Sequence, residues 1–239
     1  MIDIRRIPYW AVVALLVYMP FHVFLSQSLS LATDGLDAWK IGKDVFLAVA
    51  TLFTICLVWQ RRRADKLFYW LLSLGLLYGL LHIVLWAVHP DIYQKTSILG
   101  IIYNIRLPAC LLLAYGAARL NPDKFAFSSV IKLVLGVSTA VAALGLVQYL
   151  LPKDILTHLG YSLPRGVEPA FFIDDNPAFP RIMSTLRDPN SLGAFLILPL
   201  SALTYYLFRI ARYATKRRVL IAALWLVHMA ALYLTFSRS

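Results

Sequence analysis

Charge is scarce in this chain: Asp, Glu, Lys and Arg make up 15% of its 239 residues, where a soluble domain carries about a quarter. Cysteine is scarcer still. Cys56 and Cys110 both fall inside apolar runs, where a thiol acts as a small hydrophobe, and no CxxC or metal-ligand spacing accompanies them, so a disulfide framework or thiolate metal cluster is excluded. The chain also lacks HExxH, Walker-type and GxGxxG motifs, which removes the usual zinc-hydrolase and nucleotide-phosphate constellations. No solenoid-length repeat or inverted pair of interrupted spans is visible. Neither a metal nor a cofactor is called for.

What remains is mostly apolar. Hydrophobic residues reach 60% and the mean hydropathy is +0.71. Seven runs, at 7–26, 40–59, 67–88, 97–118, 129–151, 191–208 and 219–236, are each long enough to cross roughly 30 Å of hydrocarbon. The expected fold is all-α: a polytopic membrane helical bundle of about seven transmembrane helices, forming one domain over 1–239. The first run is too long for a signal peptide and is followed by others, so it reads as an uncleaved helix.

The net charge of +11 points to topology rather than to nucleic acid, because the basic residues cluster in short segments between spans. One side holds Arg5 and Arg6; Arg61, Arg62, Arg63 and Lys66; Arg119 and Lys124; and Arg209, Arg212, Lys216, Arg217 and Arg218, which is 13 of the 23 basic residues. By the positive-inside rule that side, with the N-terminus, is cytoplasmic. The segment 152–190 then becomes one long extracytoplasmic loop, and Ser239 lies on the same side. This loop holds half of the twelve prolines with Tyr161, Phe171, Phe172 and Phe179, too apolar for disorder. It is expected to be ordered and to lie on the membrane surface, with a short helix over Asp154–Tyr161.

Four arginines invite a chemical reading. Arg181 and Arg187 precede the sixth span, and Arg238 ends the seventh on the same side. Between them Asp188, Pro189 and Asn190 form a helix-entry turn, Pro189 suiting a turn or first helical position and Asp188 or Asn190 suiting capping bonds. Helix N-termini favour anions, and the guanidinium fork matches phosphate oxygens, so these groups are candidates for a diphosphate clamp. The alternative is that each arginine reaches lipid headgroups or pairs with Asp174, Asp175 or Glu168. Arg106 lies near the middle of the fourth span beside Asn104 and Pro108. A charge at that depth must face the protein interior or water; Pro108 could free a carbonyl for it, and Asp44 is a possible partner.

The histidines say less. His82 and His228 lie within spans and are expected to make interhelical hydrogen bonds; His22 and His89 lie near span ends. His158 lies in the long loop. Ser237 has no identifiable base to activate it.

The pair RIMSTLRDPNSLG and LTFSRS resembles the O-antigen ligase and polymerase superfamily, bacterial inner-membrane glycosyltransferases acting on undecaprenyl-diphosphate-linked glycans. The motif match covers residues 181–239. By this resemblance Arg181 and Arg238 would contact the donor diphosphate, Pro189 and Asn190 would form the family's turn, and the activity would belong to lipopolysaccharide or other surface polysaccharide biosynthesis at the extracytoplasmic face. The expected partners are a lipid-linked oligosaccharide donor, a glycan or lipid acceptor and the lipid bilayer, with no nucleic acid. Relatives continue into further spans and a large loop bearing an acceptor-activating histidine. The chain is therefore expected to be the N-terminal part of a longer protein, inactive alone, with its catalytic base on no residue present. The rival reading is a membrane transporter or channel with Arg106 on its solute path.

Overall fold

The computed structural model describes residues 3–33, 35–88, 94–209 and 215–237, excluding the side chains of 94–99 and 127. The chain is 78% helix and 5% strand, so helices set the architecture. Among the described residues, seven helical stretches are long and apolar enough to cross a bilayer: Ile4–Thr33, Leu36–Gln60, Lys66–Val88, Gly100–Leu120, Ser128–Leu150, Pro189–Phe208 and Thr215–Thr235. They match the seven expected runs, and the chain has the make-up of a multi-pass membrane protein. The first stretch comprises α1 (Ile7–Tyr18), a 3-10 turn at Met19–Phe21 and α2 (His22–Thr33). Pro20 opens that turn because it offers no N–H to continue the α ladder.

The helices belong to two compact units. The first, Met1–Leu15 with Ile41–Ala126, contains most of α3 (Leu36–Gln60), with α4 (Lys66–Val88) and α5 (Gln94–Leu120). Its cores are Ala11, Leu15, Leu47 and Leu113, and Val58, Phe68 and Leu112. The outer face of α4 leaves Leu76, Leu77 and Leu80 exposed, a surface that suits lipid far better than water. Asp65 caps α4: one carboxylate oxygen accepts the Phe68 N–H at 2.9 Å and the other the Tyr115 hydroxyl at 2.8 Å. His82 links α4 to α5, donating from Nδ1 to the Tyr78 carbonyl and accepting the Asn104 amide at 2.8 Å. That is the interhelical role expected of it.

The second unit, Leu16–Lys40 with Phe127–Ser239, contains α6 (Phe127–Leu150), α8 (Pro189–Phe208) and α9 (Thr215–Thr235). These pack around Val141, Ala142, Ile182, Leu192, Leu196 and Ala231. His228 fixes α9 to α6 by donating from Nδ1 to the Leu224 carbonyl while Nε2 meets the Ser138 hydroxyl at 2.9 Å. The long loop between α6 and α8 is ordered around a core of its own: Leu156, Tyr161, Val167 and Met183, with Phe24 and Phe171 against it. Its helix α7 is one turn, Ile155–His158, within the stretch expected to be helical.

The loop also contains strands that the sequence did not announce, β1 (Phe171–Ile173) and β2 (Asn176–Arg181), paired antiparallel. Asp174 and Asp175 join them with φ of 49° and 56°, the two-residue hairpin turn with both central residues left-handed. Pro177 and Pro180 are tolerated because β2 is an edge strand with one neighbour.

Candidate functional site

Arg181 ends β2, opposite Phe171 in the hairpin register. The neighbouring Ile182 N–H donates to the Leu234 carbonyl at 3.1 Å, which docks this end of the hairpin on the last turn of α9. Arg181 Nε donates to the Thr235 carbonyl at 2.8 Å and Nη2 to Asn190 Oδ1 at 2.9 Å. The guanidinium thus sits where unpaired helix-end carbonyls favour a cation and ties the end of α9 to the start of α8. Its Nη1 edge has no hydrogen-bond partner among the described residues.

Close approach of α8 to the residues after α9 depends on Gly193. A Cβ there would stand 2.9 Å from the Ser237 Cβ, closer than packed carbon atoms lie. Beside this contact lies a cavity of about 780 Å³, with Arg181, Asn190, Asp174, Phe172, Tyr233 and Phe236 in its walls. Ile197 and Leu232 add apolar surface from the two helices. Among the described residues the site is therefore mixed: one cation, one carboxylate, an amide, three aromatic rings and aliphatic flanks.

The start of α8 departs from the simple anion-site expectation. Asp188 is the N-cap and its carboxylate takes the Ser191 N–H at 2.8 Å and the Ser191 hydroxyl at 2.7 Å. Pro189, first in the helix, is buried and has no N–H to offer. The helix end is thus partly supplied with a negative group of its own, which leaves Arg181 as the principal anion-attracting group among the described residues. Arg187 is exposed and does not line the cavity. Arg238 lies outside the described residues, as does His89. No ion pair joins Arg181 or Arg187 to Asp174, Asp175 or Glu168; the ion pairs among the described residues lie elsewhere.

Arg106 belongs to the first unit. Its Nε and Nη2 meet the two Asp44 oxygens at 2.6 and 2.7 Å, and its guanidinium carbon lies 4.1 Å from the Tyr103 ring centre. Lys43 Nζ approaches Asp44 at 3.5 Å. The carbonyl anticipated from the Pro108 kink is not needed, since a carboxylate meets the arginine. His158 pairs with Asp154 at 3.7 Å on the exposed face of α7 and is not in the cavity walls.

The sequence singled out Arg181 and Asn190, and Asp174 as a possible ion-pair partner for the arginines, but not Phe172, Tyr233 and Phe236 as neighbours. A two-residue polar break between FFI and NPAFPR was a usable hairpin signal. Neither Asp174 nor Asp175 is glycine, and two prolines follow, so the stretch read as irregular loop. No protein-family model, curated protein or solved structure matches the chain. Fold and composition define its class as multi-pass membrane protein.

Proposed function

We propose that the cavity around Arg181 receives the diphosphate of an undecaprenyl-linked glycan, and that the protein is a glycosyltransferase of the O-antigen ligase or polymerase type. The observation that carries this reading is Arg181 itself, fixed by Thr235 and Asn190 in the wall of a large cavity, with its Nη1 edge unclaimed by any described residue. A planar fork held in advance suits phosphate oxygens and pays little reorganisation cost as charge develops on them.

In the reaction an acceptor hydroxyl oxygen forms a bond to the anomeric carbon while the bond from that carbon to the phosphate oxygen breaks. The diphosphate leaves with the electron pair, and the hydroxyl proton passes to a base. Arg181 would stabilise the leaving diphosphate. The base belongs to no residue assigned here, and the acceptor is a lipid or glycan hydroxyl. The excess of basic residues in the other connecting segments supports placing the cavity on the extracytoplasmic face of a bacterial inner membrane.

The test is donor binding, which does not require the base. The purified 239-residue chain in lipid nanodiscs should bind undecaprenyl diphosphate, and Arg181→Ala should weaken binding at least tenfold, consistent with loss of a charge-assisted fork. Arg181→Lys should recover only part of it. Equal affinity for wild type and Arg181→Ala would overturn the proposal.

A further inference from the structure

We propose that Asp174 with the rings of Phe172, Tyr233 and Phe236 forms a sugar subsite in this cavity, holding the pyranose attached to the diphosphate. The proposal rests on the donor reading above and names what the rest of the cavity is for. A volume of about 780 Å³ is of the size that encloses a whole small molecule, about 300–1,000 Å³, and is more than two phosphate groups fill.

The carboxylate is the first argument. Asp174 lines the cavity and Asp175 does not, because successive left-handed residues in the turn send their side chains different ways. Asp174 makes no hydrogen bond or ion pair with any described residue. Although it shares the cavity with Arg181, no ion pair forms between them; Arg181 is instead anchored by Thr235 and Asn190. One cavity therefore offers a cation and an anion that do not neutralise each other. A ligand suited to both carries an anionic group at one end and hydrogen-bond donors beside it. A glycosyl diphosphate has that order of groups, and hydroxyls donating to a carboxylate make charge-assisted bonds.

The rings are the second, independent argument. Tyr233 is 70% exposed, and its ring lies 5.3 Å from that of Phe236 at 51°. Phe172 contributes from β1. Aromatic surface beside polar groups suits a ligand with one apolar and one wet face, and a pyranose presents its C–H face to rings while its hydroxyls point to polar partners. A bare diphosphate would gain nothing from them.

The experiment compares undecaprenyl diphosphate with undecaprenyl-diphosphate-linked N-acetylglucosamine on the 239-residue chain in nanodiscs. Wild type should prefer the sugar-bearing lipid roughly tenfold or more, the worth of a hydrogen bond to a charged group. Asp174→Asn should bring that preference to within about threefold, since the amide keeps an acceptor but loses the charge. It should leave undecaprenyl diphosphate affinity unchanged or tighter, because a negative group facing the diphosphate has gone. Asparagine accepts the left-handed turn as readily as aspartate, and a merely structural effect would weaken both lipids together. Tyr233→Ala should likewise reduce the preference, and Asp175→Asn should not. A wild type without the preference, or an Asp174→Asn that retains it in full, would overturn the subsite while Arg181-dependent binding of undecaprenyl diphosphate still stands. If wild type binds neither lipid, or Arg181→Ala binds undecaprenyl diphosphate normally, the donor reading and the subsite fall together.

Discussion

Arg106 and Asp44, 62 residues apart, meet through two parallel hydrogen bonds of 2.6 and 2.7 Å. Their side chains are 27% and 11% exposed, so removing one partner leaves the other largely unsolvated. Arg106→Ala should destabilise by about 3 kcal/mol. Asp44→Ala should cost more, because Lys43, 3.5 Å from the same carboxylate, then faces Arg106 without the intervening anion. The double replacement Asp44→Leu with Arg106→Leu should cost less than either alanine variant. Denaturation in detergent checks this; additive losses would mean that the pair does not act as a unit.

Asp65 makes the first unit sensitive to acid. The Phe68 N–H and Tyr115 hydroxyl, with the Arg119 charge at 3.4 Å, hold its carboxyl below the ordinary value. A depressed folded value means that the stabilisation is complete above the unfolded value of about 3.9 and is lost as pH falls through the folded one. Thermal unfolding in detergent should therefore show a fall in Tm below about pH 4. Asp65→Asn should be less stable at neutral pH and should show a smaller fall. An Asp65→Asn profile parallel to wild type would remove Asp65 as the cause.

Tyr161 is fully buried in the loop core, and its hydroxyl has no partner among the described residues. Burial pushes its ionisation well above the ordinary phenol value, so the group stays neutral. Tyr161→Phe should stabilise the loop by about 1 kcal/mol, the relief of an unpaired polar group. Loss of stability would reveal a hydrogen bond to the hydroxyl, for instance from bound water.

Two loop glycines separate backbone conformation from space. Gly160 and Gly166 have φ of 88° and 82°, a region that costs other residues about 1–2 kcal/mol. Around Gly166 an added Cβ meets nothing, whereas at Gly160 it would stand 2.8 Å from the Gln27 carbonyl oxygen. Gly166→Ala should thus pay the conformational cost alone and Gly160→Ala substantially more. Equal losses in thermal unfolding would mean that α2 shifts freely away from the loop.

The number and placement of the apolar helices were legible because spanning length and local hydrophobicity are properties of a contiguous run. The expected run 67–88 and the helix Lys66–Val88 differ by a single residue at one end. The first helix is longer than expected, reaching Thr33, because serines and a glutamine on α2 turn inward: Ser26, Gln27 and Ser30 are buried. A hydropathy window counts such residues as a stop. Asp44 was a guessed partner for Arg106; its meeting with that arginine was not readable from spacing. Among the loop residues, composition implied order but could not say what the order was.

The sequence by itself determined that this chain carries seven bilayer-length apolar helices and that arginines flank the sixth, since both follow from residues adjacent along the chain. Only the tertiary structure decided that Arg181 would be held between Thr235 and Asn190 and share a cavity with Asp174 and three aromatic rings. The physical reason is that this surroundings is assembled from a hairpin tip, the start of α8 and the end of α9, segments joined by long-range packing and hydrogen bonds that no local pattern records.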